Sequence, residues 1–127
     1  MSERSSLFPS RTLLRTLSAL LTICLLAQFF IAGVAAMTDP SWWTYHSDWV
    51  AIFQWLIISL PILAWLGGHP RGRRTLFACI PLLQVALQYV LAHRAIEGRL
   101  AIGLGLQALD AGLLLLIAAG LAVGLFD

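Results

Sequence analysis

Apolar residues run almost unbroken through four stretches of the chain, at about 16–37, 49–66, 75–92 and 100–125, and polar residues collect in the gaps between them. Each stretch is close to the ~20 residues that a helix needs to cross ~30 Å of hydrocarbon. Backbone N–H and C=O groups in lipid must be satisfied within the segment, so these stretches are predicted as helices. The gaps "TDPSWWTYHSD" and "GGHPRGRR" are rich in turn formers. The third, "HRAIEGR", is short enough to force its flanking helices into an antiparallel hairpin. The pattern therefore predicts an all-α fold: a single integral membrane domain over 1–127, built as an antiparallel bundle of four transmembrane helices.

Composition supports that class. Of the 127 residues, 60% are hydrophobic and 11% charged. A soluble chain this short could not bury so much apolar surface, so the excess must face lipid. A net charge of +2, with no basic stripe interleaved with aromatics, gives no sign of a nucleic-acid partner. No Gly-rich phosphate loop, HExxH, CxxC or Ser/His/Asp arrangement is visible, and a non-enzymatic role is expected. Cys24 and Cys79 lie in apolar runs and read as small buried hydrophobes, not as a disulfide or a metal pair.

The basic residues, all arginine, set the orientation. Arg4, Arg11, Arg15, Arg71, Arg73 and Arg74 fall at one end of the bundle, whereas only Arg94 and Arg99 fall at the other, with Glu97 between them. The richer end belongs inside, so both termini are expected in the cytoplasm. Trp42, Trp43, Tyr45 and Trp49 then form an outer aromatic belt. Arg11 and Arg15 before an apolar run ending "AGVAAM" also resemble a secretory signal. That run exceeds the 7–15 residues typical of such a signal, so a retained helix is expected. Pro61 and Pro81 are expected to kink the second and third helices.

The polar residues inside the spans share one depth. Gln28 on the first helix, Gln54 on the second, Gln84 and Gln88 on the third, and Gln107 and Asp110 on the fourth all fall in the outer half. At ~1.5 Å per residue they occupy a band roughly 6–15 Å below the outer surface. An Asp near mid-span costs about 2.5–3.5 kcal/mol on insertion scales. Asp110 must therefore be solvated by neighbouring amides, or carry a proton and donate. Gln residues also serve as plain interhelical glue, at about 0.6 kcal/mol each. His46, before the second helix, and His93, ending the third, frame the band; His69 lies in the opposite loop. Two rim histidines above one polar layer suit a haem or a quinone headgroup, with His46 as a candidate haem-iron ligand and Gln28, Gln88, Gln107, Asp110 and His93 lining the site.

The fourth helix has a second face. Ala101, Gly105, Ala108 and Gly112 recur at small-residue spacing nearly opposite Gln107 and Asp110, and Gly120 and Gly124 form a GxxxG. That face is expected to dock a second copy or a partner subunit.

These residues resemble a family of small bacterial four-helix membrane proteins classed as a domain of unknown function. The shared features are a Gln followed by Ala-Gly late in the first helix, here "QFFIAG" with Gln28, Ala32 and Gly33, a His opening the second, here His46, and a Leu-Gln pair in the third, here "LQYVLA" with Gln88. The family's fourth helix carries a His and, three residues on, an Asn; Gln107 and Asp110 stand at those positions here. More distantly the chain is similar to a four-helix half of haem A synthase, which would make His46 one axial haem ligand. The resemblance implies a fold and a bacterial inner-membrane location rather than an activity. Three roles remain open: an accessory protein with a haem- or quinone-binding pocket, a structural subunit or homo-oligomer, and proton or small-solute transport through Asp110.

Overall fold

The computed structural model describes residues 3–67, 72–99 and 102–127, with side chains from Ser10 onward. Four helices follow in order: α1 (Glu3–Met37), α2 (Trp42–Leu66), α3 (Arg73–Ile96) and α4 (Gly103–Ala122). All four are long and apolar enough to span a bilayer. Among the described residues α1 packs on α2 and α4, and α3 packs on the same two, while the diagonal pairs do not touch. The bundle is thus a closed antiparallel ring of four.

Inward positions alternate by three and four residues, the spacing of a helix seam. On α1 they include Leu14, Ser18, Leu21 and Leu25, and on α2 Phe53, Ile57, Leu60 and Ala64. On α3 they are Thr75, Ala78, Pro81 and Val85, and on α4 Asp110, Leu114, Ala118 and Leu121. The outward faces are just as apolar: Ile23, Phe30, Trp55, Ile62, Leu83, Val90, Leu109 and Leu116 are exposed. Helices greasy on all sides belong in lipid, where close packing rather than water exclusion holds them together.

Helix ends differ from the sequence expectation for identifiable reasons. α1 extends about three and a half turns further toward the N-terminus, beyond the apolar run. α2 starts at Trp42, since after Pro40 nothing in the aromatic run breaks a helix; Trp42, Trp43, Tyr45 and His46 are helical, not loop. α3 continues through His93 to Ile96. α4 is shorter than expected, and its stop is built into the sequence. Gly124 takes a left-handed φ of +75°, Leu125 N donates to Gly120 O and Gly124 N to Leu121 O, the hydrogen-bond pair of a Schellman cap. Gly98 (φ +70°) ends α3 in the same way. Helices α2 and α3 continue through Pro61 and Pro81.

The α4 stop corrects the reading of Gly120 and Gly124 as a docking GxxxG. A Cβ on Gly120 would meet the Phe126 ring at 2.6 Å, and one on Gly124 would collide with the Arg15 guanidinium. Gly120 thus faces the protein's own tail, and Gly124 faces Arg15 of α1. Phe126 folds back to stack on Phe77, with ring centroids 3.8 Å apart.

Candidate functional site

The seam changes character along its length. Near the end where α1 begins and α4 stops it is aliphatic; toward the other end it carries Gln28, His46, Gln84, Gln88 and Asp110. These residues come from all four helices. α1 and α2 meet through Gln28, whose Nε2 lies 2.9 Å from both ring nitrogens of His46 and 3.3 Å from its carbonyl oxygen. The amide donates to whichever ring nitrogen carries no proton. The Trp43 ring meets the same imidazole edge-on. Just below, Trp49 Nε1 donates to the Cys24 carbonyl at 3.0 Å, a second polar tie between the two helices.

α3 and α4 meet through Gln84, whose Nε2 donates to Asp110 Oδ1 at 3.4 Å. Asp110 is 7% exposed, the only buried carboxylate among the described residues. α2 and α3 meet nearer lipid, where Tyr89 Oη donates to Gln54 Oε1 at 3.1 Å.

The layer is richer in polar atoms than in partners for them. Gln28 Oε1, Gln84 Oε1, Gln88 Nε2 and Asp110 Oδ2 are buried with no hydrogen-bond partner in the protein. An unpaired polar atom away from water costs about 1–3 kcal/mol. Each of these atoms, two amide acceptors, one amide donor and one carboxyl oxygen, could be satisfied by water or by a polar group of a small ligand.

The other expected site residues are less engaged. Gln107 is half-buried on α4. His93 faces away from the layer: its side chain is 74% exposed and its Nε2 lies 3.0 Å from Glu97 Oε1, with Arg99 on the other carboxylate oxygen at 3.4 Å. Ligation of one haem by both His46 and His93 does not fit this arrangement. His93 points outward, and His46 is occupied by Gln28. Cys24 and Cys79 are free thiols, and no group of three or more His, Cys, Asp or Glu among the described residues could hold a metal.

Spacing brought out the amides and Asp110 but missed several contacts. The Trp49–Cys24 bond was hidden because its acceptor is a backbone carbonyl. The Gln54–Tyr89 pair was hidden because Tyr89 reads as a lipid-facing aromatic. Asp127 is the larger omission: it receives Arg15 Nη2 at 2.6 Å and Arg74 Nε at 2.9 Å. The signal was available, since it is an acid one turn past the last span, at the arginine-rich end.

Comparison with known proteins places the chain. The family of unknown function DUF6220 matches residues 28–96, more than half of the sequence. The chain belongs to this family. The matched segment opens on Gln28 and takes in His46, Gln54, Gln84, Gln88 and Tyr89, while Gln107 and Asp110 lie beyond it. No curated protein and no solved structure matches the chain.

Proposed function

We propose that this multi-pass membrane protein is an accessory, non-catalytic component whose polar layer binds a small hydrogen-bonding ligand of the quinone-headgroup class. The observation that supports this reading is the set of buried, partnerless atoms on three helices, Gln28 Oε1, Gln84 Oε1, Gln88 Nε2 and Asp110 Oδ2. A quinone or quinol headgroup has the matching chemistry: carbonyl oxygens to accept from Gln88, or hydroxyls to donate to the Gln oxygens and Asp110. The exposed apolar flanks leave room for its hydrocarbon tail to stay in lipid. Gln107 and His46 border the layer as further contacts. On this reading the membrane is a bacterial inner membrane, and the arginine bias supports an orientation with both termini inside and the layer in the outer half.

The test is extraction. Protein purified in mild detergent and treated with organic solvent should release quinone in near-stoichiometric amount, and Gln88→Leu and Asp110→Leu should abolish it. A quinone-free extract from folded wild type would defeat the proposal. A visible spectrum with and without dithionite tests haem on the same sample.

A second reading follows from α4. A Cβ on Gly105 or Gly112 would meet nothing within 4 Å, and Ala108 is exposed, so this small face is open to close approach by another chain. Ala101 lies outside the described residues. On this reading the protein is a structural subunit or a homo-oligomer, and Gly105→Leu with Gly112→Leu would dissociate it. Proton transfer through Asp110 would require such an assembly to build a continuous path.

A further inference from the structure

The opposite end of the bundle holds a cavity that the polar layer does not use. It has a volume of about 230 Å³ and is lined by Arg11, Arg73, Arg74 and Asp127, with Gly67, Gly72 and Phe126 among its walls. Arg15, outside the lining, binds Oδ2 of Asp127. We propose that this cavity is a binding site for a phosphate oxyanion, supplied by the headgroup of an anionic lipid.

Charge is the first argument. Arg11, Arg73 and Arg74 line the cavity beside a single acidic side chain, Asp127, which Arg15 also pairs from outside the lining, so guanidinium groups outnumber carboxylate side chains there. Asp127 engages one nitrogen each of Arg15 and Arg74, and Arg73 Nη2 reaches the Leu125 carbonyl at 3.4 Å. The five-donor guanidinium fork has N–H groups to spare after one such bond, and phosphate is the oxyanion it matches best. Helix α3 also starts here, at Gly72, with no side-chain cap, so its dipole adds to the same positive potential.

Size and position then choose the source. The cavity is smaller than the roughly 300–1,000 Å³ of a site that encloses a whole drug-sized ligand. It suits a headgroup whose remainder lies outside. Leu13 and Leu76, exposed within a turn of the cavity's arginines on α1 and α3, offer an apolar flank for acyl chains. Basic pockets between helices at a membrane surface favour anionic headgroups for the same reason. Asp127 is an internal competitor, since it already holds part of what a phosphate would use.

The experiment uses the full chain in zwitterionic detergent, with thermal unfolding followed during titration of short-chain phosphatidylglycerol, short-chain phosphatidylcholine or inorganic phosphate. Phosphatidylglycerol should raise the unfolding temperature saturably, and phosphatidylcholine should not. Arg11→Gln leaves every ion pair of Asp127 intact, so folding is preserved; combined with Arg73→Gln it should raise the half-saturating concentration about tenfold. Asp127→Asn should lower that concentration. A rise with inorganic phosphate as well supports the oxyanion site. A rise with phosphate but none with phosphatidylglycerol overturns the lipid source. Equal responses to both lipids, or half-saturation unmoved by the arginine variants, overturns the site.

Discussion

Gln28 and His46, eighteen residues apart in sequence, face each other across the α1–α2 seam with the amide nitrogen 2.9 Å from each ring nitrogen. Within a membrane such a bond matters because the lipid offers neither group an alternative partner. Interhelical polar bonds of this kind contribute about 0.6 kcal/mol on average and up to about 1.7. Gln28→Leu should destabilise the bundle by that amount. A double-mutant cycle with His46→Phe, followed by reversible unfolding in micelles, should return a coupling of the same size. Zero coupling would mean that the pair does not bond.

Asp110 and Gln84 should behave as a unit. Gln84→Leu strands a buried carboxyl and should cost about 1–3 kcal/mol. In an Asp110→Leu background the same change should cost much less, because no carboxyl remains to be stranded. Equal costs in the two backgrounds would show that Asp110 finds its partner elsewhere.

The glycines of α4 divide into two classes. Gly124→Ala forces a side chain into a left-handed backbone and against Arg15, and should cost about 1 kcal/mol or more. Gly120→Leu should expel Phe126 from its stack on Phe77. Neither change should alter oligomeric state in detergent, as measured by light scattering. Gly105→Ala and Gly112→Ala have open space around them and should leave monomer stability within about 1 kcal/mol of wild type.

Stability should respond to acid through Asp127. Partial burial pushes its carboxyl up, but the hydrogen bond from Arg15 and the charges of Arg74, Arg15 and Arg11 outweigh this and hold it below its ordinary value of 3.8. A carboxyl lowered on folding contributes stability that is complete above the ordinary value and disappears as pH falls through the lowered one. The clasp should therefore hold at neutral pH and weaken below about pH 4. Water and salt screen an exposed pair, so the effect is at most about 1 kcal/mol. Asp127→Asn should flatten the acid limb of the unfolding-temperature profile; a limb unchanged by the substitution would place its origin in other groups.

Much of this was legible in the sequence because lipid simplifies the problem. Uninterrupted apolar length fixes helix number, short gaps fix antiparallel order, and a three-and-four spacing from Leu14 through Gln28 places the amides on the inward seam. The exact helix ends were less legible. Hydropathy marks where the chain leaves hydrocarbon, not where hydrogen bonding stops, so α2 begins about two turns before Trp49 and α3 outlasts Ala92. His93 was misplaced for a related reason. Depth follows from counting residues, but face depends on the helix phase, which turns this side chain toward Glu97. The two glycines near the end of α4 were ambiguous in principle, because GxxxG and a Schellman stop can share the same letters. Only the path of the chain after Gly124 distinguishes them.

The clasp of Arg15 and Arg74 on Asp127 joins α1 and the start of α3 to a residue three beyond the Gly124 stop of α4. During synthesis, α1, α2 and α3 enter the bilayer as a row with one flank open, and α1 cannot find its last neighbour until α4 and the turn beyond it have emerged. The carboxylate then draws the first and third helices onto the tail of the fourth. Closing the ring thus waits on α4 and its cap, and a ribosome that stalls before Gly124 would leave an unlatched three-sided trough in the membrane.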